Sequence, residues 1–446
     1  MGFTTYKELG DYFIKLGATY ALFKMLSEND NSKQQIYLGG SFNVLQQLPF
    51  GEIKEYVDIA KPNYKAPMDF YWINDSLDYA KAPNTQLILY PKYPEVRLSG
   101  FLSECDTAPS KDLQPIPKEA RGESNQKDGR VLILGICPDK KVYAYLATKN
   151  STLAKDIEQT LYSNIPEKDR KVLNQFPLKS NDIADKDSLI LMLRDLVNKD
   201  WIQSVRMYAD GSTRPYNASN GGGYTMEAHF GIIPNGEAAP DYKGWELKSH
   251  SKTRITLMTP EPDKGLYHEI GAKEFAIRYG HYTKKENERY FTGPFQVNKP
   301  CKVSDLKMVL SGFNLETQKI DDAAGGIMLI NQSEEPVAIW SFSSLLQHWC
   351  NKHHHACYVR YQSKVDSDKN RFYKYSPIVH LGEGTDFAKF LNAMVNGFVQ
   401  YDPGIKVIFD ENGESKAKPR SQFRTTLKKL EILYDSFEKI DIFKDI

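Results

Sequence analysis

The chain has 446 residues, 41% of them hydrophobic, and a formal net charge of +1. That length and apolar share suffice for two or three domains with buried cores, while no apolar run approaches the ~20 residues of a membrane span and no signal segment opens the sequence. The near-neutral balance does not by itself announce a polyanionic partner, because acidic groups elsewhere can mask a local basic cleft, and five cysteines, an odd number, fit a reducing cytoplasm rather than a disulfide framework.

In chain order, Leu9, Tyr12, Phe13, Leu16, Leu22, Phe23 and Leu26 recur at helical spacing and predict a helix over 5–27, ended by the turn formers of 27–32. Short strand-like runs follow at 35–38, 70–73, 86–90, 95–98, 131–136 and 142–146, with turn signals between them. Together they predict a compact β-barrel. Residues 106–130 read as a long polar loop. Residues 150–185 look helical and highly charged, so 1–165 is expected to form one module, 166–185 a linker and 186–446 a second module. A helix with a broad apolar surface (Leu189, Leu191, Met192, Leu193, Leu196, Val197) should open the second module at Asp187-Ser188.

The stretch 240–248 (PDYKGWELK) carries the chemistry. Alternation in a strand puts Glu246 and Lys248 on one face and sends Trp245 and Leu247 into a core. Gly244 permits a bend that returns Asp241 to the side of Glu246. Two carboxylates beside an amine suit a divalent metal and a hydrolytic water, although D-x4-E-x-K alone is equally the spacing of an ordinary surface Glu/Lys pair. Upstream, three glycines (221–223) precede a short helix bearing Glu227, and downstream His250 shares the strand face of Lys248. The run Cys350 to Cys357, with His353, His354 and His355, invites a zinc reading. Consecutive histidines diverge on any regular element, however, and a helix end leading into a strand is the plainer account. The clearest basic cluster is Lys416, Lys418, Arg420, Gln422 and Arg424. Arginine and glutamine can pair with base edges there, and lysines with phosphates.

The glycine-rich turn, the Glu227 helix, the Asp241–Lys248 hairpin, the threonine-rich strand 255–259, Trp349-x-x-Lys352, 387–391 and 397–402 together resemble the MvaI/BcnI restriction endonucleases, over about 186–446. That resemblance implies a PD-(D/E)xK nuclease core, a mixed central sheet flanked by helices. It also implies Mg²⁺ on Asp241 and Glu246, Lys248 facing the attacking water, Glu227 as a further carboxylate, and His250 at the scissile phosphate. The basic C-terminal loop would help read the target.

Three shorter pieces, Leu26-Ser27-x-Asn29-Asp30, 35–38 and 97–101, resemble the B3-type DNA-binding domain of EcoRII-like enzymes. Carried over, Asn29, Asp30, Ser32, Lys33 and Gln34 sit on one DNA-gripping arm and Arg97 near the other, while Asn29-Asp30 equally suits a simple turn cap. The expectation is a two-domain α/β (α+β) protein, a B3-like barrel followed by the nuclease core. It would act as a cytoplasmic, monomeric, sequence-specific endonuclease on double-stranded DNA, holding two duplexes at once and accompanied by a separately encoded DNA methyltransferase. Two alternatives remain open: a modification-dependent nuclease whose barrel reads methylated DNA, and a non-catalytic DNA-binding repressor.

Overall fold

The computed structural model describes residues 2–122, 126–178, 185–234 and 241–444, without the side chains of Asp185 and Asn351. The chain separates into two compact units that part near residue 182. The expected segment 166–185 lies outside the described residues at 179–184. Its earlier part contributes a strand, Asn174–Phe176, that pairs with Ala21–Phe23 of the first unit.

In the first unit the helix covers only Tyr6–Lys15, opened by a reciprocal cap in which Thr5 accepts from the Glu8 backbone and Glu8 reaches back to the Thr5 N–H. Gly17, at φ +92°, turns the chain, and Tyr20–Ser27 continues as a strand. The predicted helix over 5–27 is therefore too long. Leu22, Phe23 and Leu26 are buried, but as members of a pleated strand whose β-favouring Tyr20 and Phe23 outweigh the helical spacing.

This strand lies second in a six-stranded sheet ordered Asn174–Phe176, Tyr20–Ser27, Lys127–Ile136, Lys141–Ala147, Asp69–Ile73 and Tyr79–Lys81. A five-stranded sheet runs Gln35–Gly39, Glu95–Ser99, Gln86–Tyr90, Asn63–Pro67 and Lys54–Tyr56. Among the described residues the strand pairings leave both sheets open rather than closing them into the expected barrel.

The second unit is mixed α/β. Its central sheet is built on the antiparallel pair His355–Val365 and Arg371–Glu383. Trp245–His250 joins one side in parallel, Trp245 against His355 and Lys248 against Tyr358. Ile202–Gln203 and Ser436–Asp441 pair with the other side. One face is covered by the helix Asp185–Asn198, whose Leu189, Ile190, Leu193 and Leu196 are buried with Trp245, Leu247 and Leu381. Smaller antiparallel sheets fill much of the chain between Trp245–His250 and its partner strand, and the stretch after it. Among the described residues no helix is long and apolar enough to cross a membrane.

Gly382 stands in register with Ala356, which stands in register with Glu246. A Cβ there would lie 2.7 Å from the ring of buried Tyr434. Gly382→Ala should lower the unfolding free energy by about 1–3 kcal/mol through overpacking, read as a lower urea midpoint at unchanged m-value.

Candidate active site

Tyr242 and Trp245 exchange both backbone hydrogen bonds, at 3.0 and 2.7 Å, across the two-residue loop Lys243-Gly244. Both loop residues have positive φ (+43° and +84°), the backbone that matches strand twist in a tight hairpin and that glycine adopts without steric cost. The turn folds Asp241 back so that its Oδ2 accepts the Leu247 N–H at 2.8 Å. Asp241 and Glu246 thereby act on one another electrostatically.

Glu246 is only 2% exposed. Its Oε1 receives the Lys248 ammonium at 2.5 Å and lies 4.0 Å from the Lys352 ammonium. Its Oε2 is buried without a hydrogen-bond partner among the described residues. Burial alone would raise this carboxyl's pKa, but Lys248 and Lys352 outweigh it and hold the group below the usual carboxylate range. Lys248 shows the mirror image: burial works against its charge, and Glu246 overrides that and raises its pKa. Asp241 is pushed up to about 6, by burial and then by the charge of Glu246. Glu227 is pushed up to about 7, by burial and then by Asp241.

The glycines explain how Glu227 reaches this group. A Cβ on Gly221 would lie 2.4 Å from Ser204 Oγ, and one on Gly222 would lie 2.5 Å from the Tyr361 ring. Only bare backbone lets the helix Gly221–His229 approach the sheet so closely. Glu227 Oε1 and Ser249 Oγ both come within 3.7 Å of where a Gly223 Cβ would stand, which sets the Glu227 carboxylate beside the Trp245–His250 strand.

Lys352, of the Trp349-x-x-Lys352 motif, closes the cluster. It ends the helix Phe342–Lys352, where Trp349 stacks on His353 at 4.2 Å. His353 is fully buried, bonds Leu257 O at 3.1 Å, and stays neutral because burial and then Lys248 press its pKa down to about 3. Behind Glu246, the Tyr358 and Tyr434 hydroxyls meet at 2.7 Å. His355 lies against the Trp245 ring at 5.0 Å and the His354 ring at 4.1 Å, while among the described residues no group of three His, Cys, Asp or Glu could hold a metal ion.

His250 does not join the cluster. Its Nδ1 bonds Lys252 O at 2.9 Å, and the charge acting on its ring is Arg360 rather than a carboxylate. In the C-terminal region Lys416 and Lys418 are exposed on the strand Ser415–Lys418, Arg420 is exposed and Gln422 is half-buried. Arg424 is already engaged: Asp402 Oδ2 accepts from it at 2.9 Å and from Arg254 at 3.0 Å, beside a cavity of about 270 Å³ also lined by Gln400 and Lys429.

In the first unit Asn29, Ser32, Lys33 and Gln34 are exposed on the turn after Tyr20–Ser27. Asp30 is not available as an arm residue. It is 4% exposed, and its carboxylate takes Lys24 at 2.5 Å, the Ser27 N–H at 2.9 Å and the Tyr37 N–H at 3.2 Å, so it pins the turn from within. Arg97 is paired with Glu95 at 2.6 Å.

A buried acidic cluster braced by two lysines at the edge of a mixed sheet describes a hydrolase of the phosphodiester-cleaving class. Residues 190–434 match the model of the MvaI/BcnI restriction endonuclease family, more than half of the chain and all within the second unit, and the chain belongs to that family. It is a type II site-specific deoxyribonuclease. Among solved structures the chain is similar to "Restriction endonuclease MvaI-cognate DNA substrate complex" (17% identity, TM-score 0.45, 58% of this chain and 99% of that one). It is also similar to "Restriction endonuclease MvaI in the absence of DNA" (16% identity, TM-score 0.32, 59% and 100%). A comparison with curated proteins finds no match.

The raised pKa of Glu227 has a consequence for stability. Below about 4.5 the carboxyl is protonated folded or unfolded. Between 4.5 and about 7 the folded state keeps a proton the unfolded state has lost, so wild-type stability falls as pH rises through that window. Glu227→Gln lacks this loss. In EDTA it should match wild type near pH 4 and exceed it at pH 8 by on the order of 2–3 kcal/mol in urea unfolding.

Proposed function

We propose that this protein cleaves both strands of a short duplex site, of the CCWGG or CCSGG kind, at a Mg²⁺-dependent centre made by Asp241, Glu246 and Lys248 with Glu227 beside them. The observation that carries the reading is Glu246 Oε2, a carboxylate oxygen buried without a partner while its twin is held by lysine. Such an atom costs free energy unless something meets it, and a hard cation with one or two carboxylates plus waters and phosphate oxygens fits it and Asp241. When bound, Mg²⁺ supplies Lewis-acid polarisation of a phosphate oxygen and a more acidic water.

The chain's own residues account for the rest. Lys248, fixed on Glu246 Oε1, orients the nucleophile, and Lys352 offers a second positive group against charge building on the phosphate. Glu227, a carboxylate set beside the Trp245–His250 strand, can take up the proton that the attacking water releases. His250, its Nδ1 on Lys252 O and its Nε2 buried without a partner among the described residues, keeps a proposed contact with the scissile phosphate.

For the first unit, residues 1–165 with the linker 166–185, we propose a B3-like DNA-binding module that engages a second copy of the site as an effector. The exposed Asn29, Ser32, Lys33 and Gln34 support this. The module order resembles that of UbaLAI. A monomer with one such centre cuts one strand and then reorients for the other, and a separately encoded methyltransferase would protect host DNA. Lys416, Lys418 and Arg420 face solvent, with Gln422 half-buried beside them, where target reading is proposed.

The test is digestion of unmodified and methylated plasmid with Mg²⁺ or EDTA. Cutting of unmodified plasmid in Mg²⁺ alone is expected, with a transient nicked circle. Cutting confined to methylated plasmid would transfer the first unit's role to modified-base reading, and no cutting at all would favour a binding protein.

Asp241→Ala, Glu246→Ala and Lys248→Ala should each abolish cleavage while duplex binding in EDTA survives, because these groups act on the scissile phosphate rather than the bases. Lys248→Ala cutting within a few fold of wild type would remove it from the mechanism.

A further inference from the structure

Beside the carboxylate cluster stands a group of side chains with no part in the scheme so far. The hairpin Val205–Met207/Thr213–Pro215 sits on the helix that carries Glu227. Thr225 Oγ1 accepts the Val205 N–H at 3.1 Å and donates to Val205 O at 3.3 Å. This brings the next residue, Arg206, against the helix: its guanidinium carbon lies 4.6 Å from the ring centre of Tyr224 and 5.6 Å from that of Tyr208. The Tyr216 ring meets Tyr224 edge-on at 5.1 Å. Arg214, across the hairpin, stacks on Tyr208 at 4.7 Å, and its charge is taken by Asp210 at 2.7 Å.

Arg206 has no such partner. Among the described residues neither a carboxylate nor any hydrogen-bond acceptor meets its guanidinium, and its Nε is buried and unpaired. A half-buried guanidinium in contact with two aromatic rings has its plane restrained and its N–H edge left for an acceptor, and that fork matches the geometry of a phosphate. An uncompensated charge of this kind is unfavourable in the free protein and favourable once an anion arrives. Its position supplies the anion. Tyr224 precedes Glu227 by three residues on one helix, so the two share a face about one turn apart, and Arg206 lies on Tyr224.

We infer that Arg206 is a phosphate anchor for the DNA strand that enters the Glu227–Asp241–Glu246 centre, taking a backbone phosphate close to the scissile one. The inference rests on the DNA-cleavage reading above and adds a surface to it. The tyrosines orient the guanidinium, and Arg214, neutralised by Asp210, braces Tyr208 from outside. A backbone anchor carries no sequence information, so it sets affinity and register while leaving base preference alone.

The experiment measures binding of the full-length protein to a labelled duplex that wild type cuts, in EDTA, over a series of KCl concentrations. Arg206→Ala and Arg206→Gln, the latter keeping a planar group without charge, should each bind about tenfold more weakly near 150 mM salt. Each should also show a slope of log K against log salt shallower by about one, with single-base-substituted duplexes weakened in the same proportion as the cognate one. Wild-type affinity and slope in both variants would overturn the anchor. So would weaker binding at unchanged slope, which is the mark of a structural role, or altered base preference, which is the mark of a base reader. Failure of wild type itself to bind or cut any duplex would instead strike the parent reading.

Discussion

The site depends on one expensive act, the burial of the Glu246 carboxylate. Taking an ion out of water costs several kcal/mol even after relaxation, and the fold offsets this with Lys248 and Lys352 on a single oxygen. The second oxygen is left unmet. Asp241 and Glu227, crowded into the same environment, respond in the opposite sense to Glu246 and hold their protons more tightly. Three carboxylates against two ammonium groups leave the cluster short of positive charge once all are ionised. Within the cluster the carboxylates thus outnumber the ammonium groups that face them, and the proposed Mg²⁺ centre rests on that deficit.

Reaching this state requires close approach more than any special side chain. The helix that carries Glu227 is admitted to the sheet because Gly221 and Gly222 present bare backbone to Ser204, Tyr373 and Tyr361. On the other face Leu247 and Trp245 anchor the strand Trp245–His250 in the core shared with the helix Asp185–Asn198. Packing on one side thus fixes the register of charge on the other, with the two-residue alternation of the strand as the link.

What could be read from the sequence follows the range of the interactions. The hairpin was legible because everything that shapes it lies within eight residues: alternation, a glycine where φ is positive, and an aspartate that folds back on its own strand. The first helix was read too long because apolar residues at 9, 12, 13 and 16 run on into 22, 23 and 26, and spacing alone does not reveal that Gly17 turns the chain into a strand. The sequence shows Lys352 only as part of the Trp349-x-x-Lys352 motif, because its contact with Glu246 arises through the parallel pairing of strands distant in sequence. Asp30 looked like a surface contact because a sequence does not show that Lys24 and the Tyr37 N–H close over it. The turn it pins nevertheless presents Asn29, Ser32, Lys33 and Gln34 outward.

The parallel pairing of Trp245–His250 with His355–Arg360 has a broader meaning. These neighbours in space are separated in the chain by residues 251–354, a stretch that forms strands of several other sheets before returning through the helix Phe342–Lys352 to deliver Lys352 beside Glu246. The two ends of that excursion are locked in register, where a slip of one residue would reverse every side chain. The strands in its interior pair in sheets of their own, and the loops between them carry no register constraint. Surface elements there can lengthen, shorten or be exchanged at modest entropic cost while the hydrolytic frame stays as it is. Variation in the loops of 251–354 is thus separable from the contact between Lys352 and Glu246, which the pairing at the two ends of that stretch holds.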